Sequence, residues 1–232
     1  QMCIRDRLTA KDIFKCQFIQ VYGLTETCGA GTILEPEDHD PSLGRLRSCG
    51  KVAPTAELKI VDSKGNSLGP NEVGEITYRS KSVMKGYWKN EEATKKSISS
   101  GWFSTGDAGY LDADGYLYIH DRIKDMIVSG GENVYPAEVE NALFDHPAIG
   151  DVAVIGVPDD KWGEAVKAVV VLEPGAEATE DEIISYSRTK IAGYKIPKSI
   201  DFTDVLPRNP TGKLLKRELR KPYWQGKDRQ IN

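Results

Sequence analysis

The sequence has few cysteines, no long apolar run and no excess of charge of one sign. Its cysteines are Cys3, Cys16, Cys28 and Cys49. They lack the spacing of a metal site and suggest no disulfide scaffold, so a reduced, cytoplasmic setting is the simplest interpretation. The densest apolar stretches, Val152–Val157 and Ala168–Leu172, are far shorter than the ~20 residues that cross a bilayer. We therefore predict no transmembrane segment, while a peripheral membrane contact stays open. The net charge of −4 provides no positive surface for nucleic acid.

The composition is that of a folded, globular chain. Apolar residues make up 39% of the 232 residues and charged residues 28%, which suits one large domain or two small ones. Residues 1–7, with the sequence QMCIRDR, are neither a signal peptide nor a capped helix start. They resemble a translated sequencing adapter, so we predict that they are a non-native scar. An ordinary helix end is the alternative.

Residues 8–121 are predicted to form mostly strands and turns. Apolar segments bounded by turn residues predict strands at Phe18–Val21, Ala56–Val61, Val73–Arg79, Ala108–Leu111 and Tyr116–Ile119. Asp112-Ala-Asp-Gly115 is a hairpin signal between the last two strands, and Glu91–Ile98 is polar and helix-like. This run of strands is typical of a barrel-like subdomain.

Residues 122–232 have a different pattern and are predicted to form a small α+β domain. Pro136 stands where a helix begins, and Thr179 with Glu182 forms a capping-box pattern that opens another helix, which ends at about Ile191. Further segments predict strands and a closing helix, namely Val152–Val157, Ala165–Leu172, Ser199–Val205 and the helix Leu214–Leu219. The predicted class of the chain is α+β.

Two motifs in the first part of the chain combine a glycine with a hydroxyl and a carboxylate. In Tyr22-Gly-Leu-Thr-Glu26, the glycine allows a tight turn after a strand, and the polar groups can meet phosphate and a hard cation. In Ser104-Thr-Gly-Asp107, a carboxylate at a glycine turn can accept both hydroxyls of a ribose. The alternatives are an ordinary strand end for the first motif and, for the second, an aspartate that only caps backbone N–H groups.

Three further motifs lie after residue 120. Asp121-Arg-Ile-Lys-Asp125 is a charged segment at which we place the domain boundary, although such a run is often only solvated surface. In Val128–Asn133, two glycines let the backbone pass close to a slender ligand, or simply form a loop before a helix. In Pro207–Lys213, proline and glycine form a turn that presents a lysine, a compact charge suited to a developing phosphorane or to a carboxylate. A solvated surface lysine is the alternative.

These motifs, in this order, resemble those of the acyl-adenylating enzymes, the superfamily of acyl-CoA synthetases, luciferases and peptide-synthetase adenylation domains. The resemblance covers nearly everything from about Leu8 onward. It implies that residues 8–121 are the distal, barrel-like part of a large adenylate-forming domain and that residues 122–232 are a small mobile C-terminal domain. It also implies ATP, Mg²⁺ and coenzyme A as cofactors.

The resemblance implies roles for the first glycine motif. Tyr22 stacks on adenine, and Gly23 lets the backbone approach the nucleotide. Thr25 contacts the α-phosphate, and Glu26 helps to bind magnesium.

The resemblance assigns further nucleotide and joint residues. Asp107 and Arg122 hold the ribose, and Lys213 is the lysine of the adenylation step. The hinge residue in such enzymes lies two residues after the arginine, which here is Lys124.

The resemblance also implies a coenzyme A site. The Gly130-Gly131 pair lines the pantetheine channel, Trp162 and Tyr194 are candidates for contact with the adenine of coenzyme A, and Lys195 lies near its phosphates. Packing between strands and helix is the alternative for either aromatic residue. Some members carry an arginine where Ile196 stands, and this departure weakens the case for a phosphate clamp.

The implied function is ATP-dependent ligation of a carboxylic acid to coenzyme A, and the overall likeness favours a medium- or long-chain fatty acid. The alternatives are an aryl or short-chain acid, a carrier protein as acceptor, and a nucleotide-binding module without turnover. No phosphate-binding loop precedes Tyr22, so we expect a fragment that lacks full adenylation activity by itself. No carrier module follows Asn232, which favours free coenzyme A.

Overall fold

The structure of the protein is a computed structural model that describes residues 4–29 and 31–226. The chain divides into two compact units, Gln1–Ile119 and His120–Asn232. Each unit has its own β-structure and its own apolar core. Helices and strands are mixed in both, which confirms the predicted α+β class. The division lies two residues before the predicted domain boundary.

The first unit is built on two sheets. One joins, in this order, the strands Gln20–Tyr22 (β1), Thr32–Leu34 (β2) and Lys51–Val52 (β3). The other joins Ala56–Val61 (β4), Gly74–Ser80 (β5), Ile98–Ser99 (β6), Trp102–Leu111 (β7) and Leu117–Arg122 (β8). The order is β4-β5-β7-β6, and β8 also pairs with β7. The helices of this unit are Ile4–Phe14 (α1) and Glu91–Ser97 (α2). Cys49, Ile60, Ile76 and Leu117 form its buried core.

The Ser104–Asp107 motif lies within β7, so the prediction of a turn at this place is wrong. The register between β5 and β7 shifts here, which indicates a bulge. Gly106 has a φ of +71°, a conformation that glycine adopts without strain. The Thr105 hydroxyl donates to the Ile76 carbonyl (2.7 Å) and accepts from the Asp107 N–H (3.1 Å). The structure therefore has a bulge within a strand at the place where the sequence predicted a turn.

Helix α1 departs from the strands and turns predicted for the first part of the chain. Of the predicted scar, residues 1–3 lie outside the described residues, and residues 4–7 belong to α1. The Arg7 side chain is buried and donates hydrogen bonds to the Gln20 side chain and to the Leu46 carbonyl. These distant partners help to account for a helix that the local sequence did not predict. A non-native origin of residues 1–7 stays a prediction.

The described part of the second unit contains a five-stranded sheet and three helices. The strands are Ile127–Ser129 (β9), Glu132–Val134 (β10), Ile149–Asp159 (β11), Gly163–Leu172 (β12) and Ser199–Phe202 (β13). The order is β10-β9-β12-β11, and β13 runs parallel to β12. The helices are Pro136–Phe144 (α3), Glu180–Arg188 (α4) and Lys216–Arg220 (α5). Within residues 4–29 and 31–226, no helix has the length and apolar character needed to cross a membrane.

The two longest strands of this unit, β11 and β12, are apolar on both faces. On one face, Val152 and Val154 belong to the core that α3 and α4 cover. On the other face, Ala153 and Ile155 belong to a second cluster, against which side chains of the C-terminal segment pack. These side chains are Leu206, Leu214, Leu219 and Tyr223. A sheet covered on both faces needs continuous apolar residues rather than alternating ones, and the Val152–Val157 run provides them.

Some boundaries in this unit differ from their predicted positions. Helix α5 begins at Lys216 rather than at Leu214, because the Leu215 N–H donates to the Pro207 carbonyl (2.8 Å) and so belongs to the preceding loop. Helix α4 and strand β13 each end three residues before their predicted ends. The predicted helix starts at Pro136 and after Thr179 are confirmed.

Helix α4 starts with a reciprocal capping box whose contribution can be measured. Thr179 Oγ1 accepts from the Glu182 N–H (3.3 Å), and Glu182 Oε2 accepts from the Thr179 N–H (2.7 Å). Because Thr179→Ala leaves the helix start without its cap, it should lower the free energy of unfolding by about 1 kcal/mol. Urea denaturation followed by circular dichroism measures this loss. The control is Ser185→Ala at an exposed position of the same helix, and an equal loss there would contradict the prediction.

Candidate nucleotide and coenzyme A sites

Tyr22 and Asp107, which belong to separate motifs, are in contact. Tyr22 ends β1, and its hydroxyl donates to Asp107 Oδ2 at 2.7 Å. Asp107 is only 6% exposed, and Tyr22 is half-buried. Burial, and then the negative charge of Asp107, raise the pKa of the Tyr22 hydroxyl, so it stays protonated and acts as the donor. The contact fixes the tyrosine ring beside the carboxylate.

The turn after β1 presents the Thr25 hydroxyl. Gly23 and Thr25 are both exposed, and Thr25–Thr27 forms one turn of 3-10 helix. The Thr27 side chain fixes this turn, because its Oγ1 accepts from the Leu24 N–H (3.0 Å) and donates to the Leu24 carbonyl (2.9 Å). The structure therefore gives Thr25 a defined backbone and an accessible side chain.

Glu26 has an oriented carboxylate. Its Oε1 accepts from the Tyr87 hydroxyl at 3.0 Å, and its carbonyl accepts from the Met84 N–H at 2.7 Å. Burial, followed by the hydrogen bond to Glu26, raises the pKa of Tyr87, which therefore remains a donor. One such carboxylate fits Mg²⁺, which binds to one or two protein carboxylates together with substrate phosphates. Among the described residues, no group of three His, Cys, Asp or Glu side chains is arranged to hold a metal ion.

Arg122, the last residue of β8, and Lys124, in the segment between β8 and β9, are both exposed. The carboxylates that flank Lys124 are held in place. Asp121 accepts from a backbone N–H at the start of α3 (2.9 Å), and Asp125 pairs with Arg220 of α5 (2.7 Å). The predicted joint thus carries two exposed cations between two anchored carboxylates.

The glycine pair and Trp162 meet in the second unit. Gly130 and Gly131 form the turn between β9 and β10, with φ values of +62° and +86°. The Gly130 N–H donates to the Trp162 carbonyl (2.9 Å), and a Cβ placed on Gly130 would lie 2.7 Å from Trp162 Cε3. Trp162 is 39% exposed, and Lys161 Nζ lies 4.5 Å from its ring centroid. Two parts of the predicted coenzyme A site are therefore neighbours.

Lys195 already has a carboxylate partner. Its Nζ donates to both oxygens of Glu138, at 2.6 and 2.7 Å. Burial is the largest effect on Lys195 and disfavours its charged form. The hydrogen bond to Glu138, the negative charge of Glu138 and the contact with Tyr194 together outweigh burial and raise the pKa of Lys195. Tyr194 is 43% exposed, and its ring centroid lies 5.4 Å from Lys195 Nζ. A phosphate group at Lys195 must therefore compete with Glu138.

Lys213 stands at the end of a turn organised by Asn209. Asn209 Oδ1 accepts from the backbone N–H groups of Thr211 (3.0 Å) and Lys213 (2.8 Å). The Asn209 N–H donates to the Lys213 carbonyl (2.9 Å), and Gly212 has a φ of +83°. Arg208 closes the turn by donating to the Gly212 carbonyl (2.9 Å). Lys213 is exposed, so a fixed backbone presents a mobile cation.

Sequence reasoning missed the residues that hold several of these side chains in place. They are Tyr87, Glu138, Asn209 and Arg220. Tyr87 is 61 residues from Glu26, and Glu138 is 57 residues from Lys195, so no local pattern could reveal either pair. Asn209 does carry a signal, because asparagine before a proline favours a turn.

Two sequence models of one enzyme family match the chain. The model of the AMP-binding enzyme matches residues 6–88, and that of the AMP-binding enzyme C-terminal domain matches residues 138–213. The chain belongs to the acyl-adenylating, AMP-binding enzyme family. The resemblance drawn from the motifs is thereby confirmed.

Relatives of the chain include ligases with different acids and acceptors in their names. It is 41% identical over 220 residues to the fatty acid–[acyl-carrier-protein] ligase ScoC of Streptomyces coeruleorubidus, with 95% of this chain and 42% of that protein covered. It is 45% identical over 207 residues to the long-chain-fatty-acid–CoA ligase FadD13 of Mycobacterium tuberculosis, with 89% and 40% covered. The chain thus spans 42% and 40% of the lengths of these relatives.

A solved structure similar to this chain is that of the o-succinylbenzoate CoA synthetase MenE of Bacillus subtilis. In its complex with the acyl-adenylate intermediate OSB-AMP, the TM-score is 0.82 at 42% identity, with 91% of this chain and 43% of that chain covered. In its complex with ATP and a magnesium ion, the TM-score is 0.82 at 40% identity, with 93% and 44% covered.

The Tyr22–Asp107 hydrogen bond should contribute to the nucleotide affinity of the protein. Tyr22→Phe keeps the ring and removes the hydroxyl, so Asp107 loses the hydrogen bond from Tyr22. We expect AMP to bind about tenfold more weakly to the whole protein, since a hydrogen bond to a charged group contributes ~1.5 kcal/mol or more. Calorimetric titration measures the affinity. The matched control is Tyr87→Phe, which instead removes the hydroxyl group that donates to Glu26. Unchanged AMP affinity in Tyr22→Phe would contradict this prediction.

The contact between Gly130 and Trp162 predicts different effects of alanine at two adjacent glycines. Both Gly130→Ala and Gly131→Ala place a side chain at positive φ, but only the first directs its Cβ into the Trp162 ring. Gly130→Ala should therefore lower the free energy of unfolding by about 1 kcal/mol more than Gly131→Ala. Denaturant titration of the two variants provides the comparison. Equal losses would show that the ring moves aside without cost.

Proposed function

We propose that the whole protein is an AMP-forming acid–CoA ligase. A carboxylate oxygen of the acid attacks the α-phosphorus of ATP, and pyrophosphate leaves. The coenzyme A thiolate then attacks the acyl carbon of the adenylate, and AMP leaves. The observation that carries the proposal is the Tyr22–Asp107 contact, because it joins the two motifs expected to bind adenine and ribose. Family membership and the similarity to MenE solved with an acyl-adenylate support it.

The nucleoside end of the proposed site consists of three side chains. The Tyr22 ring offers an aromatic face to adenine, and its hydroxyl orients Asp107. The Asp107 carboxylate accepts hydrogen bonds from the ribose hydroxyls, and Arg122 adds a fork of donors to the ribose oxygens. Holding the ribose fixes the direction of the phosphate chain, which is the positioning that an in-line displacement needs.

The phosphate end depends on the turn after β1 and on Lys213. Gly23 permits close approach of the backbone, and the Thr25 hydroxyl donates to an α-phosphate oxygen. Glu26, oriented by Tyr87, supplies a carboxylate to Mg²⁺. Bound magnesium neutralises phosphate charge. Lys213 stabilises the negative charge that develops on the oxygens of the reacting groups.

The second half-reaction is assigned to the second unit. We take residues 8–121 as the distal part of a large domain and residues 122–232 as a mobile C-terminal domain that pivots at Lys124. A pivot would let one domain serve two reactions by gating. The Gly130-Gly131 turn, which packs on Trp162, borders the pantetheine path.

The adenine and phosphates of coenzyme A are assigned to three side chains of the second unit. Trp162 and Tyr194, both partly exposed, offer aromatic faces to the adenine. Lys195 meets a phosphate once Glu138 releases it.

The acid is proposed to be a medium- or long-chain fatty acid, and FadD13, whose name specifies such an acid, is among the relatives. An aryl or short-chain acid is the alternative within the same chemistry, given the similarity to MenE. A carrier protein in place of coenzyme A is favoured by the similarity to ScoC. The non-enzymatic alternative is nucleotide binding without turnover.

Replacing Lys213 tests the division of labour between the two half-reactions. In the whole protein, Lys213→Met should abolish ATP–pyrophosphate exchange that depends on the acid, because the developing charge loses its partner. Thioester formation from supplied acyl-adenylate should persist. The control is Lys190→Met, since this lysine lies after α4 and pairs weakly with Asp145 (4.0 Å).

Each outcome of this experiment discriminates between the candidates. Loss of exchange with retained thioester formation supports the ligase and the role of Lys213. Unchanged ATP–pyrophosphate exchange in Lys213→Met would show that Lys213 does not act in adenylation. Binding of AMP by the wild type without turnover on any acid or acceptor favours the binding module. Replacing coenzyme A with a phosphopantetheinyl carrier protein identifies the acceptor.

A further inference from the structure

The two carboxylates that flank Lys124 are both tied to helix α5. Arg220 Nη2 lies 2.7 Å from Asp125 Oδ1, and Lys216 Nζ lies 3.9 Å from Asp121 Oδ2. Lys216 Nζ also lies 2.8 Å from Oε1 of Glu140 in α3. We call these five side chains the joint cluster. Lys216 and Arg220 are four residues apart and so lie on the same face of α5.

The joint cluster is nearly closed to solvent. Exposure of its side chains ranges from 11% for Asp121 to 19% for Glu140. Burial raises the pKa of Glu140, and Lys216 opposes this effect by stabilising the carboxylate. Arg220 Nη1 is buried without a hydrogen-bond partner in the described part of the chain, so Asp125 is the main compensation for its charge. Buried ion pairs of this kind hold a fixed geometry, because a separated charge is costly.

Helix α5 needs these contacts to have a defined position. It has five residues, too few to be stable as an isolated helix. Its position is set by packing of Leu219 on the sheet and by the ion pairs of Lys216 and Arg220. The turn that carries Lys213 leads directly into α5. Any displacement of α5 relative to the joint therefore displaces the backbone of Lys213.

We propose that Lys216 and Arg220 are positioning residues that couple the Lys213 turn to the joint at Lys124. They hold α5 against both ends of the 121–125 segment, which fixes the Lys213 turn relative to the joint in this arrangement. This inference rests on the proposed function, because it assigns the coupling to the adenylation half-reaction. The competing explanation is that the ion pairs only stabilise the fold. In that case, both half-reactions would decline together with the folded population.

The test measures both half-reactions in the whole protein with Arg220→Met. We expect the rate of adenylation, measured by ATP–pyrophosphate exchange, to fall about 10- to 100-fold. A small misplacement of a reacting group produces a loss on this scale. Thioester formation from supplied acyl-adenylate should stay close to the wild-type rate. Asp125→Asn should reproduce the loss, and the double variant should be no worse than either single one. Arg220→Lys, which keeps the charge, should restore most of the rate.

The matched control is Arg217→Met on the same helix. Arg217 is 86% exposed and pairs with its neighbour Glu218, so both half-reactions should be unchanged. Amide hydrogen exchange adds a readout that does not depend on activity. Arg220→Met should speed exchange in residues 121–126 and 213–220 together and leave β11 and β12 unaffected.

Several results would overturn the inference. Equal loss of both half-reactions, or faster exchange throughout the unit, would indicate a purely structural role. Unchanged adenylation in a folded Arg220→Met variant would remove the coupling. If Arg220→Met does not fold, Arg220→Lys and Asp125→Asn decide the matter by the same criteria. A wild-type protein that performs no adenylation would instead refute the proposed function, and this inference with it.

Discussion

The nucleotide site proposed for the first unit depends on the hydrogen bond from the Tyr22 hydroxyl to the Asp107 carboxylate. This bond joins residues 85 positions apart and takes a nearly buried carboxylate out of water. Because a buried carboxylate is costly to leave without its hydrogen bonds, this contact helps to hold β1 and the bulge of β7 in their relative position. The nucleotide chemistry proposed for this unit needs that arrangement, since adenine and ribose are joined by a bond of fixed length.

Much of the fold follows from local patterns. Two helix starts follow from the capping box at Thr179 and from Pro136 at the start of α3. A buried strand follows from the apolar run Val152–Val157. Helix α1 was missed because burial of Arg7 depends on distant acceptors. The Ser104–Asp107 motif was assigned to a turn because a glycine at positive φ serves a turn and a strand bulge equally well.

The candidate sites were predictable in their motifs but not in their partners. Sequence motifs pointed to Glu26 and Lys195, whereas their partners Tyr87 and Glu138 come from distant segments. Ile196 shows a second limit of predicting the candidate site from the sequence. It is only 6% exposed, so a long charged side chain could not take its place without leaving the core. The protein therefore relies on other groups for any contact with phosphate in this region.

The packing of an indole ring on a glycine has a practical consequence. Trp162 lies where no side chain separates it from the Gly130 backbone, and Lys161 lies over its ring. Indole fluorescence depends on the polarity around the ring and on nearby charge. If the other tryptophans, Trp88, Trp102 and Trp224, are replaced by phenylalanine, the emission of Trp162 becomes an intrinsic optical probe of the β9–β10 loop. The loop thus carries its own spectroscopic label.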